Sequence, residues 1–192
     1  PPWLYTLSLH DALPISKKNV NVKIRKLFDK TVDLLNNFIK NNNICNVGLA
    51  HGLSGYAYAY IMVYKVTHKD KYLLKAKELL LFEDQLYKSN KTQKASWCKG
   101  ETGLCISRIK YLELSPNIKI RDSFEHYYKI LCTKGINDVE NMCLCHGLYG
   151  NIEIIREINK ILKNQNIINE QLILPKLPVL KKIEDIYLGY NK

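Results

Sequence analysis

The sequence predicts an all-α fold in which inner and outer helices alternate, as in an α/α toroid or a solenoid. Three observations carry this prediction. From Lys17 onward, apolar residues recur at helical spacing. A Gly-x-x-Gly signal occurs three times, led by Gly52, Gly100 and Gly147, which stand 48 and 47 positions apart. Each signal runs into an apolar segment, and an amphipathic segment separates it from the next. A constant period of this length marks a helical-repeat architecture.

The elements follow in order. Pro1 to Ser16 holds three of the six prolines and no Lys or Arg. Its run Leu7-Ser8-Leu9-His10-Asp11-Ala12-Leu13-Pro14-Ile15 looks like translated sequencing adapter, so residues 1–16 are set aside as a non-native or disordered segment and 17–192 as the domain. Ile24, Leu27, Phe28, Val32, Leu35 and Ile39 form one helical face, giving a helix over about 20 to 41 that Asn41-Asn42-Asn43 ends. The first glycine signal leads into an apolar helix from Tyr56 to Val66. Asp70 to Tyr87 is amphipathic. The second signal leads into Leu104 to Leu114. Ser123 to Cys132 is again amphipathic, with Gly135 as its C-terminal stop. The third signal leads into Asn151 to Leu162, and a fourth begins at Gly189. Apolar helices suit an inner layer buried on more than one side, and amphipathic ones an outer ring facing water.

Composition removes several alternatives. With 192 residues there is material for one domain with a sizeable core, and no apolar run reaches the 18 or so residues of a membrane span. The net charge of +11 comes from scattered lysines. Without a dense Lys/Arg run or an RNA-binding aromatic motif, it reads as compositional bias, not as a nucleic-acid footprint. Six cysteines without a secretory signal point to a reducing, cytoplasmic setting, where thiols serve as ligands, catalysts or core filler.

The glycines let the chain turn sharply and approach its neighbours closely. All three signals then lie at the same end of the inner helices, and the residues just before them converge: His51, Cys98 and the pair Cys145-His146. Two thiolates and an imidazole make a good zinc shell, and three protein ligands leave one tetrahedral position open. Two thiolates soften the ion as a Lewis acid, so the site suits a thiol nucleophile better than a hydrolytic water. The residues alone also allow a helical-repeat scaffold with structural Cys and His, or another zinc enzyme on an α/α barrel, such as a protein prenyltransferase. Cys143 is a spare-ligand candidate and Cys45 a minor redox or metal one. Cys105 and Cys132 read as core filler, the tyrosines from Tyr56 to Tyr64 as packing, Trp97 as support for Cys98, and His68 and His126 as surface. Glu101 at a helix start is accounted for by the helix dipole.

Three segments together resemble the ordered signatures of lanthionine synthetase cyclase domains. They are Gly48-Leu49-Ala50-His51-Gly52-Leu53-Ser54-Gly55, Ser96-Trp97-Cys98-Lys99-Gly100, and Leu144-Cys145-His146-Gly147-Leu148-Tyr149-Gly150-Asn151. With Ile106-Ser107-Arg108 after the second signal, the likeness is strongest to class II enzymes, and it covers about residues 40 to 165. It implies an α/α toroid of seven helix pairs around a central zinc, of which three repeats are visible, so the sequence reads as cut at both ends. It also implies addition of a peptide cysteine thiol to dehydroalanine or dehydrobutyrine, forming a thioether ring. Carried over by position, Cys98, Cys145 and His146 become the zinc ligands and His51 the acid/base residue. Lys99 stands where the family usually has His or Tyr, and Lys94 where some members have Arg. Either lysine suits the stabilisation of enolate charge. The implied partners are a ribosomally made precursor peptide and a dehydratase domain fused upstream. No nucleic acid is expected, and a transporter is the one membrane association to consider.

Overall fold

Six α-helices and no strand make up the regular structure of the described residues, which in this computed structural model are 22–41, 46–89, 95–139 and 142–165. Residues 1–16 and the boundary after them, Cys45, Lys94 and the signal at Gly189 lie outside these ranges. The helices are α1 (Val22–Asn41), α2 (Leu53–Thr67), α3 (Asp70–Ser89), α4 (Glu101–Leu112), α5 (Ile118–Asn137) and α6 (Leu148–Gln165). None of them is long and apolar enough to cross a membrane.

The two expected layers are present. Helices α2, α4 and α6 pack side by side, with α3 against α2, and α5 against both α4 and α6. Burial follows the sequence pattern in α3, α4 and α5, whereas α6, expected to be an enclosed apolar helix, exposes Glu153, Arg156 and Lys160. Every residue of α4 except Lys110 is buried, as a helix enclosed on several sides requires. Helix α3 buries one face, Tyr72, Ala76, Leu79, Leu80 and Glu83, while Leu74 and Phe82 remain exposed. In α5 the corresponding stripe is Ile120, Phe124, Tyr127, Tyr128 and Leu131. Helix α1 meets α2 through the Phe38–Tyr56 ring stack and a hydrogen bond from Tyr60 to Asn36.

The helix starts differ from the sequence reading in an informative way. The inner helices begin at Leu53, Glu101 and Leu148, immediately after each leading glycine. Gly52 and Gly100 are the N-cap residues, with extended backbone at φ −128° and −133°. The second glycine of each signal therefore lies inside the first helical turn. Helix α5 starts at Ile118, five residues before Ser123, because the Asn117 side chain caps it by accepting from the Ile120 N–H. Gly135 does not end α5, which continues to Asn137. Its missing side chain instead leaves room for Ala95 and Asn151, whose Nδ2 donates to the Gly135 carbonyl at 2.9 Å.

A polar cluster of Glu83, Asp84 and Arg108 sits in this apolar interior. Glu83 and Arg108 are both fully buried and form an ion pair at 3.1 Å. Arg108 also donates to Asp84 (2.6 Å), to the carbonyls of Leu80 and Leu104 (3.1 Å each) and to Ser123 (3.2 Å). Burial pushes the Glu83 carboxyl up, and this is opposed by Arg108 and by hydrogen bonds from Ser54 and Gly48. Arg108 stays cationic, because the two carboxylates outweigh its desolvation.

Candidate metal centre

The loops before α2, α4 and α6 are stacked by backbone hydrogen bonds, with Trp97 at the hub. The Trp97 N–H donates to the Cys145 carbonyl, and the Trp97 carbonyl accepts from Leu49 N–H, each at 3.3 Å. The Ala50 N–H donates to the Cys98 carbonyl at 3.3 Å. Trp97 thus supports Cys98 through its main chain, joining the His51 loop to the Cys145 loop.

Glycines make this stacking possible. A Cβ on Gly55, Gly103 or Gly150 would lie 2.1, 2.2 or 1.7 Å from a backbone oxygen, those of Leu49, Trp97 and Leu144. The same contact recurs in each repeat: the second glycine faces the carbonyl of the residue six positions earlier. Gly48 has a further reason to be glycine. Its φ is +104°, and a Cβ there would lie 2.3 Å from the Cys98 carbonyl oxygen. Gly103→Ala is expected to cost about 3 kcal/mol of stability, since a backbone oxygen cannot swing aside as a side chain would. Urea unfolding of the two proteins checks this.

The stacked loops bring together the three residues the sequence singled out. One ligand atom each from Cys98, Cys145 and His146 lies within 4.8 Å of the other two. The Cys98 and Cys145 sulfurs are 2.7 Å apart. Cys98 is buried, Cys145 half-buried and His146 exposed, so the cluster opens towards solvent on one side. Without a cation, burial first, then the Cys145 contact, pushes the Cys98 thiol up to about 11. A buried thiol that resists ionisation, as Cys98 does, gains most from a soft divalent cation, which deprotonates the sulfurs it binds. The donor set of two sulfurs and one imidazole nitrogen fits zinc.

The other candidates differ in their burial and partners. His51 is exposed on a loop whose neighbouring residue, Ala50, is bonded to Cys98. Lys99 is exposed beside Cys98, and its charge opposes the rise of the Cys98 thiol. Cys143 stands outside the three-residue cluster, where its sulfur accepts from the His146 N–H at 3.3 Å. Cys105 is wholly buried and its thiol is raised well above the ordinary range, while burial pushes Cys132 up to about 11. Both behave as core residues. Glu101 is buried and accepts from the Tyr87 hydroxyl at 2.5 Å, a partner the helix dipole alone did not suggest.

Sequence reasoning missed two parts of the site's support. One is Glu83 with Arg108. The other is Asn151, which holds the Ala95 carbonyl at 3.2 Å and accepts from Thr102 at 2.7 Å. A signal for Glu83 was available: with Ala76, Leu79 and Leu80 it completes an i, i+3, i+4, i+7 face that is otherwise apolar.

Comparison with known proteins agrees with this arrangement. The family model described as lanthionine synthetase C-like protein matches residues 4–177. The lacticin 481/lactococcin biosynthesis protein LcnDR2 of Lactococcus lactis subsp. lactis is 30% identical over 171 residues, which is 80% of this chain. The chain spans 18% of the length of that relative. No solved structure matches. By its fold, the order of its glycine signals and the extent of the family match, the chain belongs to the lanthionine synthetase C-like family.

Proposed function

We propose that this chain is a zinc-dependent lanthipeptide cyclase domain in which Cys98, Cys145 and His146 hold the metal. The observation that carries the reading is the convergence of three soft or borderline donors at one open rim. When bound, zinc supplies the Lewis acidity that ionises a thiol at neutral pH. The substrate is a dehydrated precursor peptide, in keeping with a relative named for lacticin 481/lactococcin biosynthesis. The peptide cysteine gives up its proton to solvent, and its sulfur bonds to the β-carbon of a dehydroalanine or dehydrobutyrine, closing the thioether ring. The displaced π electrons pass towards the α-carbon and its carbonyl. His51 delivers a proton from solvent to the α-carbon, which discharges the enolate and completes the addition. Lys99, exposed on the same rim, stabilises the developing negative charge. Lys94 is assigned the same role from the sequence. We place the reaction in the cytoplasm, with a dehydratase supplying the substrate. The unbridged thiols of Cys98, Cys105, Cys132 and Cys145 suit that compartment.

The test is cyclisation of a dehydrated peptide carrying a free cysteine, followed by thiol alkylation and mass spectrometry. The zinc-loaded chain should protect the cysteine from alkylation, and a chelator should abolish the protection. A zinc-loaded chain giving no ring overturns the reading, and a chain that binds no metal returns the scaffold reading. His51→Asn should lower turnover about 100-fold while zinc content stays unchanged.

A further inference from the structure

The carboxylate of Glu83 is spent on one loop. Its Oε1 accepts from the Gly48 N–H at 2.9 Å and from the Ser54 N–H at 2.8 Å, and its Oε2 accepts from the Ser54 hydroxyl at 2.5 Å. Gly48 and Ser54 are the two ends of the segment that carries His51 at its centre. Glu83 belongs to the outer helix α3, so an outer helix reaches through the inner layer to grip the rim. The grip is itself fixed from behind. Arg108 of α4 holds Oε2 at 3.1 Å, and the Ser107 hydroxyl lies 2.9 Å from that of Ser54. The clamped loop presses directly on the thiol centre, because Gly48 packs against the Cys98 carbonyl and Ala50 donates to it.

We propose that Glu83 is a positioning residue for His51: it holds the Gly48–Ser54 loop against the Cys98 loop, with Arg108 keeping the carboxylate in place. This inference rests on the acid/base role proposed above for His51. Two buried N–H groups and a hydroxyl converge on one carboxylate with both of its oxygens engaged. A charge in the core is costly unless every bond is made, and here the bonds made are those that set a rim loop. The neighbouring Asp84 provides the contrast. It binds the same guanidinium at 2.6 Å and accepts from the Tyr127 hydroxyl at 2.8 Å, and none of its hydrogen bonds reaches the loop.

The experiment compares Glu83→Gln with Asp84→Asn in the zinc-loaded full chain, each also combined with His51→Asn. An amide offers one acceptor oxygen to donors that now occupy two, so the loop or Arg108 must lose its bonds. The expected result is a kcat at least tenfold lower in Glu83→Gln, with KM and zinc content unchanged. Asp84→Asn should keep the wild-type kcat even where it lowers the melting temperature. In the His51→Asn background, Glu83→Gln should cause no further loss. Equal losses in the two single variants, or a full extra loss in the His51→Asn background, overturn the proposal. Amide hydrogen exchange separates this from failure of the cyclase reading. Gly48 and Ser54 should exchange at least tenfold faster in Glu83→Gln while Leu104 keeps its wild-type protection. If the wild-type chain cyclises nothing, the cyclase reading falls, and unchanged exchange at Gly48 and Ser54 would then remove the clamp as well.

Discussion

Cys98→Ala is expected to abolish tight zinc binding. Cys98 is the buried member of the cluster, and its sulfur lies 2.7 Å from that of Cys145. Its loss leaves one thiolate and one imidazole, both on the loop before α6. Removing groups that merely orient a metal ligand costs 10–100-fold in affinity, so loss of a ligand should exceed about 100-fold. Metal analysis after dialysis against a weak chelator should find about one zinc per wild-type chain and almost none in the variant. Far-UV circular dichroism should be unchanged, because deleting one small sulfur at the rim does not disturb the helical layers. Cys143→Ala supplies the control. With its sulfur on the His146 N–H and outside the cluster, it should retain the metal. Zinc retained by Cys98→Ala would remove the ligand assignment.

Arg108→Met is expected to have the largest effect on stability, about 3–5 kcal/mol. The guanidinium is fully buried and engages Glu83, Asp84, Ser123 and two main-chain carbonyls. It also lies over the Tyr127 ring, 4.9 Å from its centroid. Methionine fills much of the volume but leaves Glu83 as a buried charge without a counterion. Arg108→Lys should recover only part of the loss, since an ammonium cannot reproduce the planar fork of donors. Pairing Arg108→Met with Glu83→Leu removes the stranded charge, yet it should still fall short of wild type. The Gly48 and Ser54 N–H groups would then be buried without an acceptor. Chemical denaturation of the three variants measures each step. A loss below about 1 kcal/mol for Arg108→Met would mean that the cluster is well solvated in the native state.

The helical layers and the meeting of Cys98, Cys145 and His146 were legible in the sequence for one shared reason. Both depend on local periodicity: apolar residues at helical spacing give the helices, and a repeat near 47 residues places equivalent loops at one end. The same logic brought Cys98 towards Cys145-His146 without any long-range contact being known. Local signals were less reliable at helix ends. Gly135 looks like a stop in sequence, but in the structure it is a packing contact with Ala95 and Asn151. The glycine pairs read as turns, yet the second of each pair lies in the first turn of a helix, where a neighbouring carbonyl leaves no room for a side chain.

The sequence by itself determined the fold class, the end at which the repeats converge and the grouping of Cys98 with Cys145 and His146, because each follows from spacing along the chain. Only the tertiary structure decided how the rim is held. Glu83 lies 35 residues from Gly48 and 25 from Arg108, and nothing in local propensity pairs them. A carboxylate in an amphipathic helix ordinarily faces water, and this one is buried because α3 packs where two loop N–H groups and a guanidinium require an acceptor. Such pairing depends on the relative placement of whole helices, and that is settled only when the layers close.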